Sequence, residues 1–293
     1  MNRLVGLIVL LAISTHAENG YRTFTTPDGR TLKAKIIMFD SATDKVQIER
    51  EDKKKVTVPS NSFSEKDQAY IKKWQVAQTF MSASKFKLDI KRKEVKSSKK
   101  PIEVDLGEEG GGGGRRGGGD TGVQVVAIDK NTQYKYSLLM ENKSDTPLKN
   151  IILEYRIFYE QQKSVLDEKA NKNRPEDSTR PEQYTAVDQN KIKDAKVRVK
   201  PIDARSTQEL ATASVTLLNR SASREWGDKI DLKSNLIGAW IQLTMKGPDG
   251  EELVREIATA NSIMKKYDWD ATQEEPIDEN SVEKESTSEE TPD

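Results

Sequence analysis

Alternation of apolar and polar positions, the two-residue period of a half-buried strand, is the dominant signal along the chain. Between Tyr21 and Val58 it comes in four short runs: Tyr21–Thr26, Leu32–Phe39, Lys45–Arg50 and Lys55–Val58. In the second run Leu32, Ala34, Ile36 and Met38 share one face, and Pro27-Asp28-Gly29-Arg30 before it is a tight-turn signal. Pro59 ends the last run, and Ser64-Glu65-Lys66-Asp67 is a capping-box pattern that opens a helix with Tyr70, Trp74 and Ala77 on one side. Short strands followed by such a helix predict a small meander or barrel over residues 20–80.

A second alternating set begins at Lys85–Lys93, with Phe86, Leu88 and Ile90 facing inward. Gln133–Asn142 places Tyr134, Tyr136, Leu138 and Met140 on one face, and Ile151–Tyr159 places Ile151, Leu153, Tyr155, Ile157 and Tyr159 together. The turn between them, Lys143-Ser144-Asp145-Thr146-Pro147, makes either a hairpin or a connection between sheets. Val197-Arg198-Val199 and Gln208–Leu218 follow, and Ile237–Met245 and Glu252–Ala260 flank the hairpin signal Gly247-Pro248-Asp249-Gly250. About seven strands, with no long amphipathic helix and no βαβ alternation, predict an immunoglobulin-like or fibronectin-like β-sandwich over residues 84–269. The expected fold class is thus mainly β, a small barrel followed by a sandwich.

Four stretches break the pattern. Met1–Ala17 has a basic start, an apolar run from Leu4 to Ile13, and small residues before Glu18, the pattern of a secretory signal peptide cut between Ala17 and Glu18. Its ten apolar residues fall short of the roughly 20 that a membrane-spanning helix needs. Residues 107–122 are Gly-rich and predict a flexible loop. Residues 163–195 are charged, contain Pro175 and Pro181, and predict an extended insertion within the sandwich. Residues 270–293, with ten acidic side chains and one Lys, predict a disordered tail.

Composition narrows the chemistry. Among 293 residues there is no Cys, and the one His, His16, lies within the predicted signal peptide. The exported chain is therefore expected to carry no Ser-His-Asp triad, Cys nucleophile, disulfide or Cys/His zinc site. Equal totals of 48 basic and 48 acidic residues conceal an asymmetry. Residues 18–269 hold 46 basic and 38 acidic side chains, a net of +8, whereas the tail is −9. No catalytic, cofactor-binding or metal-binding residue is expected.

Several residues admit a functional role beside a simpler one. The Gly run lacks a following helix and a Lys-Ser/Thr end, so it does not match a phosphate-binding loop. Arg115-Arg116 within it is a single basic element, and nucleic acid is not an expected partner. Lys85–Lys100 contains eight basic and two acidic residues, readable as a site for anionic lipid, envelope polymer or the chain's own tail, or as a solvated strand face. Asp249, Glu251 and Glu252 could serve a carboxylate hydrolase but sit on a predicted turn. The candidate binding surface is Lys85, Lys87, Lys91, Arg92, Lys93 and Trp226. Trp269 is a further exposed aromatic candidate, and Trp74 and Trp240 are expected to pack inside.

The first unit also resembles a known family. Arg22-Thr23-Phe24-Thr25, Pro27-Asp28-Gly29-Arg30, Lys33-Ala34-Lys35, Lys45-Val46, Val56-Thr57-Val58-Pro59 and the stretch Phe63–Ile71 together resemble the SLA homology domain one family, over residues 20–74. The resemblance implies an SH3-like barrel and a binding module of the kind found in yeast endocytic adaptors, where it recognises Asn-Pro-Phe peptides. Similar modules occur in exported proteins of planctomycete and verrucomicrobial bacteria. The expectation is an exported, secreted or periplasmic, non-catalytic protein that binds a protein, peptide or cell-envelope component, with peripheral membrane contact left open. Two alternatives stand beside it: an electrostatic tether through residues 85–100, and a hydrolase of envelope polymers.

Overall fold

The computed structural model describes residues 20–105, 123–175, 178, 182–222 and 230–269. The predicted cleavage point at Ala17 and Glu18, the Gly run, Trp226 and the acidic tail all lie outside the described residues. The protein is mainly β, built of antiparallel sheets.

The first sheet is a meander in the order β1 (Arg22–Thr25), β2 (Thr31–Asp40), β3 (Lys45–Arg50) and β4 (Lys55–Pro59). The predicted turn closes it, with Gly29 at φ 84° donating its N–H to the Thr26 carbonyl. Phe24, Ala34, Val46 and Ile48 fill one face and meet Phe63 and Ile71 from beyond Pro59. Helix α1 (Glu65–Met81) opens at Ser64, whose hydroxyl accepts the Asp67 N–H. It is 17 residues long and runs on to Met81, past the predicted end of the first unit at 80.

The remaining strands form a sandwich. In one sheet β6 (Val123–Asn142) is central, with β5 (Phe86–Asp105) along one edge. Its other edge is shared end to end by β9 (Ser206–Ala211) and β10 (Val215–Ala222). The other sheet has the order β12 (Glu252–Ala258), β11 (Ser234–Lys246), β7 (Ile152–Leu166) and β8 (Tyr184–Arg198). A short helix α2 (Glu168–Asn171) lies between β7 and β8, and α3 (Asn261–Lys266) follows β12. The inward residues meet as the alternation predicts: Leu88, Tyr136, Leu138 and Met140 from one sheet against Leu153, Tyr155, Ile157 and Leu243 from the other. Burying each large apolar side chain contributes about 1.5–3 kcal/mol. The Tyr155 hydroxyl accepts the Ala213 N–H at 2.7 Å, tying the sheets together polar group to polar group.

β6 and β7 belong to different sheets, so of the two readings of residues 143–147 the structure selects the connection between sheets. One expectation changes. Much of the stretch 163–195, expected as an extended insertion, is paired strand: β7 runs to Leu166 and β8 begins at Tyr184, joined in continuous register from Leu166↔Tyr184 to Ile152↔Arg198. Neither face of it is buried, but a hairpin needs only backbone donors and acceptors to pair.

α1 belongs to both units. Its first half supplies Ile71 to the meander core, while Ala77 and Phe80 enter the sandwich core, with Val76 and Met81 against it. Phe80 is fully buried and stacks on Phe86 at 5.9 Å between ring centroids. The chain therefore has no free linker where the sequence suggested a boundary at 80–84.

Candidate functional site

The junction of the two units is held by ionic and aromatic contacts as well as by α1. Arg22 pairs with Asp67 at 2.9 Å and lies 3.5 Å over the Tyr70 ring. Asp67 also accepts the Thr25 N–H at 2.8 Å, so one buried carboxylate joins β1 to the start of α1. From the sandwich, Asp249 in the β11–β12 turn accepts the Tyr70 hydroxyl at 3.0 Å and stands 3.7 Å from Arg22. Burial, and then this acceptor, raise the pKa of Tyr70 above the ordinary tyrosine value.

Deeper in the junction lies Arg255, on β12 opposite Leu243 and only 2% exposed. The last carbonyls of a helix have no intrahelical partner. Arg255 Nη1 donates to the Phe80 carbonyl at 2.8 Å in the last turn of α1, and to the Phe86 carbonyl at 2.7 Å at the start of β5. A cation at a helix C-terminus also suits the helix dipole. Burial lowers the Arg255 pKa to about 10.

With the units fixed in this way, a cleft of about 780 Å³ opens beside α1. One wall is the β2–β3 turn. There Asp40 accepts the Ala42 N–H and the Thr43 hydroxyl, contacts that hold its carboxyl below the usual carboxylate range. The facing wall is the β6–β7 connection, organised by the fully buried Asn142. Its side-chain amide donates to the carbonyls of Thr146 and Asp203, and its Oδ1 accepts from Ser144. Phe39, Val76, Pro147 and Met245 give the cleft apolar surface. Lys72, Lys73, Lys149 and Lys246 bring four cations. Lys246 is paired with Glu252 at 3.4 Å, whereas the other three have no ion pair among the described residues. Asp145 in the wall is already taken by Arg205 at 2.6 Å. The cleft thus offers apolar contact with excess positive charge.

The candidate residues on β5 are placed differently from one another. Lys85 is exposed before the strand, and its carbonyl accepts the Lys143 N–H. Lys87, Lys91 and Lys93 share the outer face of the sheet, while Arg92 lies on the opposite face, 5.6 Å over the Tyr134 ring. Lys87 stands opposite Glu141, Lys91 pairs with Asp89 at 3.4 Å, and Lys93 with Glu209 at 2.5 Å. Lys93 and Ser137 hold Glu209 below the usual carboxylate range. The structure therefore brings three of the candidates onto one face beside acidic neighbours, and separates Arg92 from them.

The turn carboxylates are engaged in the fold. Asp249 meets Tyr70 and Arg22, Glu251 accepts the Asp249 N–H at 2.9 Å, and Glu252 pairs with Lys246. Trp240 is 6% exposed and Trp269 packs edge-on against it at 5.0 Å. Among the described residues no group of three or more His, Cys, Asp or Glu side chains is placed to hold a metal ion, and no helix is long and apolar enough to cross a membrane.

The four stretches that make the cleft were invisible as a group in the sequence, because they come from positions near 40, 73, 147 and 246. The one local signal was the polar connection 143–147, whose Pro147 becomes part of the wall.

No protein-family model matches the chain, and no curated protein matches it. Among solved structures the chain is similar to one described as "X-ray structure of Northeast Structural Genomics Consortium target SoR45", with a TM-score of 0.22 and 10% identity, covering 59% of this chain and 83% of that chain. A likeness of that size carries no argument.

Proposed function

We propose that the chain is an exported, non-catalytic binding protein that holds an extended anionic segment, a peptide or an envelope polymer, in the cleft between its two β units. On this reading β1–β4 with α1 is an SH3-like module related to the SLA homology domain one family, and β5–β12 is an immunoglobulin- or fibronectin-like sandwich. The observation that carries the proposal is the cleft: apolar surface and three lysines without an ion pair among the described residues, between walls that α1 joins. A preformed concave site loses less ordering entropy on binding than one assembled on contact. Apolar side chains of the partner would supply area, and Lys72, Lys73 and Lys149 would orient its negative charge.

Among the described residues the carboxylates with moved acidity, Asp28, Asp40, Glu49 and Glu209, are all shifted downward, by hydrogen bonds first. A glycosidase acid needs the opposite shift. Its own contacts also weigh on the tether alternative, since Lys91 and Lys93 already have acidic partners.

The test is affinity capture from the native cell envelope with residues 18–293, beside a Lys72→Glu/Lys73→Glu/Lys149→Glu variant. The expected result is a partner retained by the wild type and lost by the variant. Equal capture by both would place the binding surface elsewhere, and loss on Lys91→Glu/Lys93→Glu instead would favour the tether.

A further inference from the structure

The outer face of the second sandwich sheet carries a separate groove of about 850 Å³ that shares no residue with the cleft. Its floor is one cross-strand row, Glu154 on β7, Gln242 on β11 and Glu256 on β12, in direct register. Neighbouring strands are about 4.8 Å apart, so the row presents three polar groups at regular intervals across about 10 Å. The wall is aromatic: after α3 the chain turns back so that Trp269 meets Trp240 edge-on, and Tyr267 stacks on Phe158 at 4.2 Å. Arg156 stands 5.0 Å over the Trp269 ring.

Two of the groove's carboxylates are neutralised by lysines just outside it: Glu154 is paired with Lys196 at 2.5 Å and Glu252 with Lys246 at 3.4 Å, while Glu256 accepts from Gln242 at 2.6 Å. Lys265, Lys266 and Asp268 lie on the α3 side, with Lys266 4.0 Å from Glu160. Each carboxylate nevertheless keeps spare lone pairs, because an ionised carboxyl has about four acceptor positions. Trp240 is more than nine-tenths buried, and its indole N–H has no partner among the described residues, although a buried indole N–H ordinarily finds one. The site is therefore rich in hydrogen-bonding groups and flanked by aromatic rings, and its remaining charges are of both signs, with no large excess of one sign to select an ion.

We infer that this groove binds a neutral, polyhydroxylated ligand, a glycan chain, on the Glu154–Gln242–Glu256 row with Trp269 against a sugar ring. Hydroxyls are both donors and acceptors, so they can use the carboxylate lone pairs and the Gln242 amide together. The apolar C–H face of a pyranose matches an aromatic ring, which brings large area at little entropic cost. The inference goes beyond the cleft and does not depend on its being occupied.

The experiment titrates residues 18–293 with neutral tetrasaccharides of β-1,4-glucose, β-1,4-N-acetylglucosamine and α-1,4-glucose, by calorimetry and tryptophan fluorescence. At least one is expected to bind, to shift the tryptophan emission, and to keep its affinity within about twofold as salt rises from low to physiological strength. Trp269→Ala and, independently, Gln242→Ala should each weaken it at least tenfold. Gln242 lies on the sheet surface, so its variant serves if Trp269→Ala disturbs α3. No binding by any of the three at about 10 mM, affinity unchanged in both variants, or selection of an Arg-rich peptide with steep salt dependence would each overturn the inference.

Discussion

Arg255 and the lysines of β5 are cations of the same sandwich, one inside it and the others on its outer face, and their surroundings give them unrelated work. Arg255 sits alone in an otherwise ordinary strand, 2% exposed, and serves two carbonyls that α1 and β5 leave without partners. Lys87, Lys91 and Lys93 form the most conspicuous basic pattern in the sequence, yet each is solvated beside an acidic neighbour. Density of charge along the chain marks solvent-facing strand, whereas a single charge at an inward position marks a joint. The same contrast explains why the cleft draws its lysines from segments that no charge run picks out.

The sharpest way to break this contrast is at the joint's apolar half. Phe80→Ala removes a fully buried ring shared by α1 and the sandwich, and should cost about 3–5 kcal/mol in denaturant unfolding. It should also split a single cooperative transition into two as the units lose their common helix. One undivided transition with less than about 1 kcal/mol lost would mean that the units do not depend on α1.

Arg255→Ala comes next, because it leaves the Phe80 and Phe86 carbonyls buried without a donor. A loss of about 1–3 kcal/mol per orphaned group is expected. Arg255→Met should recover part of the loss through packing, since a buried charge itself carries a desolvation cost. Full recovery would show that the two hydrogen bonds contribute nothing net.

Alkaline unfolding gives a smaller effect with a defined sign. Burial raises the Tyr136 pKa to about 12 from the ordinary 10. Between pH 10 and about 12 the unfolded chain releases this proton while the folded chain keeps it, so stability falls as pH rises through that window. Tyr136→Phe should make the fall shallower by as much as one proton. An unchanged slope would show that Tyr136 does not retain its proton in the fold.

The smallest effect belongs to the exposed side of the comparison. The Lys93–Glu209 pair is about half exposed at both ends, and Lys93→Gln should move thermal stability by no more than about 0.5 kcal/mol. A loss above about 2 kcal/mol would give the outer face of β5 a structural weight that its contacts do not explain.

The strands of both units were legible wherever one face was buried, because there the two-residue period is enforced by the core. Tyr136, Leu138 and Met140 are where the alternation put them. The far ends of β7 and β8 were not legible: neither of their faces is buried, so no core enforces a period, and their pairing is written in the backbone. The capping pattern at Ser64 located the start of α1, but nothing local revealed that Phe80 crosses into the other core. Arg255 was hidden for a related reason, since its acceptors lie 175 and 169 residues away in sequence. The cleft combines both difficulties: its residues are individually unremarkable lysines and small apolar groups, and only α1 makes neighbours of them.

The claim on which the account depends is that α1 holds the cleft walls at a fixed separation. The chain contains no Cys, so a Ser41→Cys/Lys149→Cys variant can be spin-labelled at those two positions alone, one on each wall. Pulsed dipolar measurement of the label-to-label distance should give one narrow distribution, unchanged between low and high salt and broadened by Phe80→Ala. A broad or two-peaked distribution in the otherwise unaltered chain would contradict a preformed cleft.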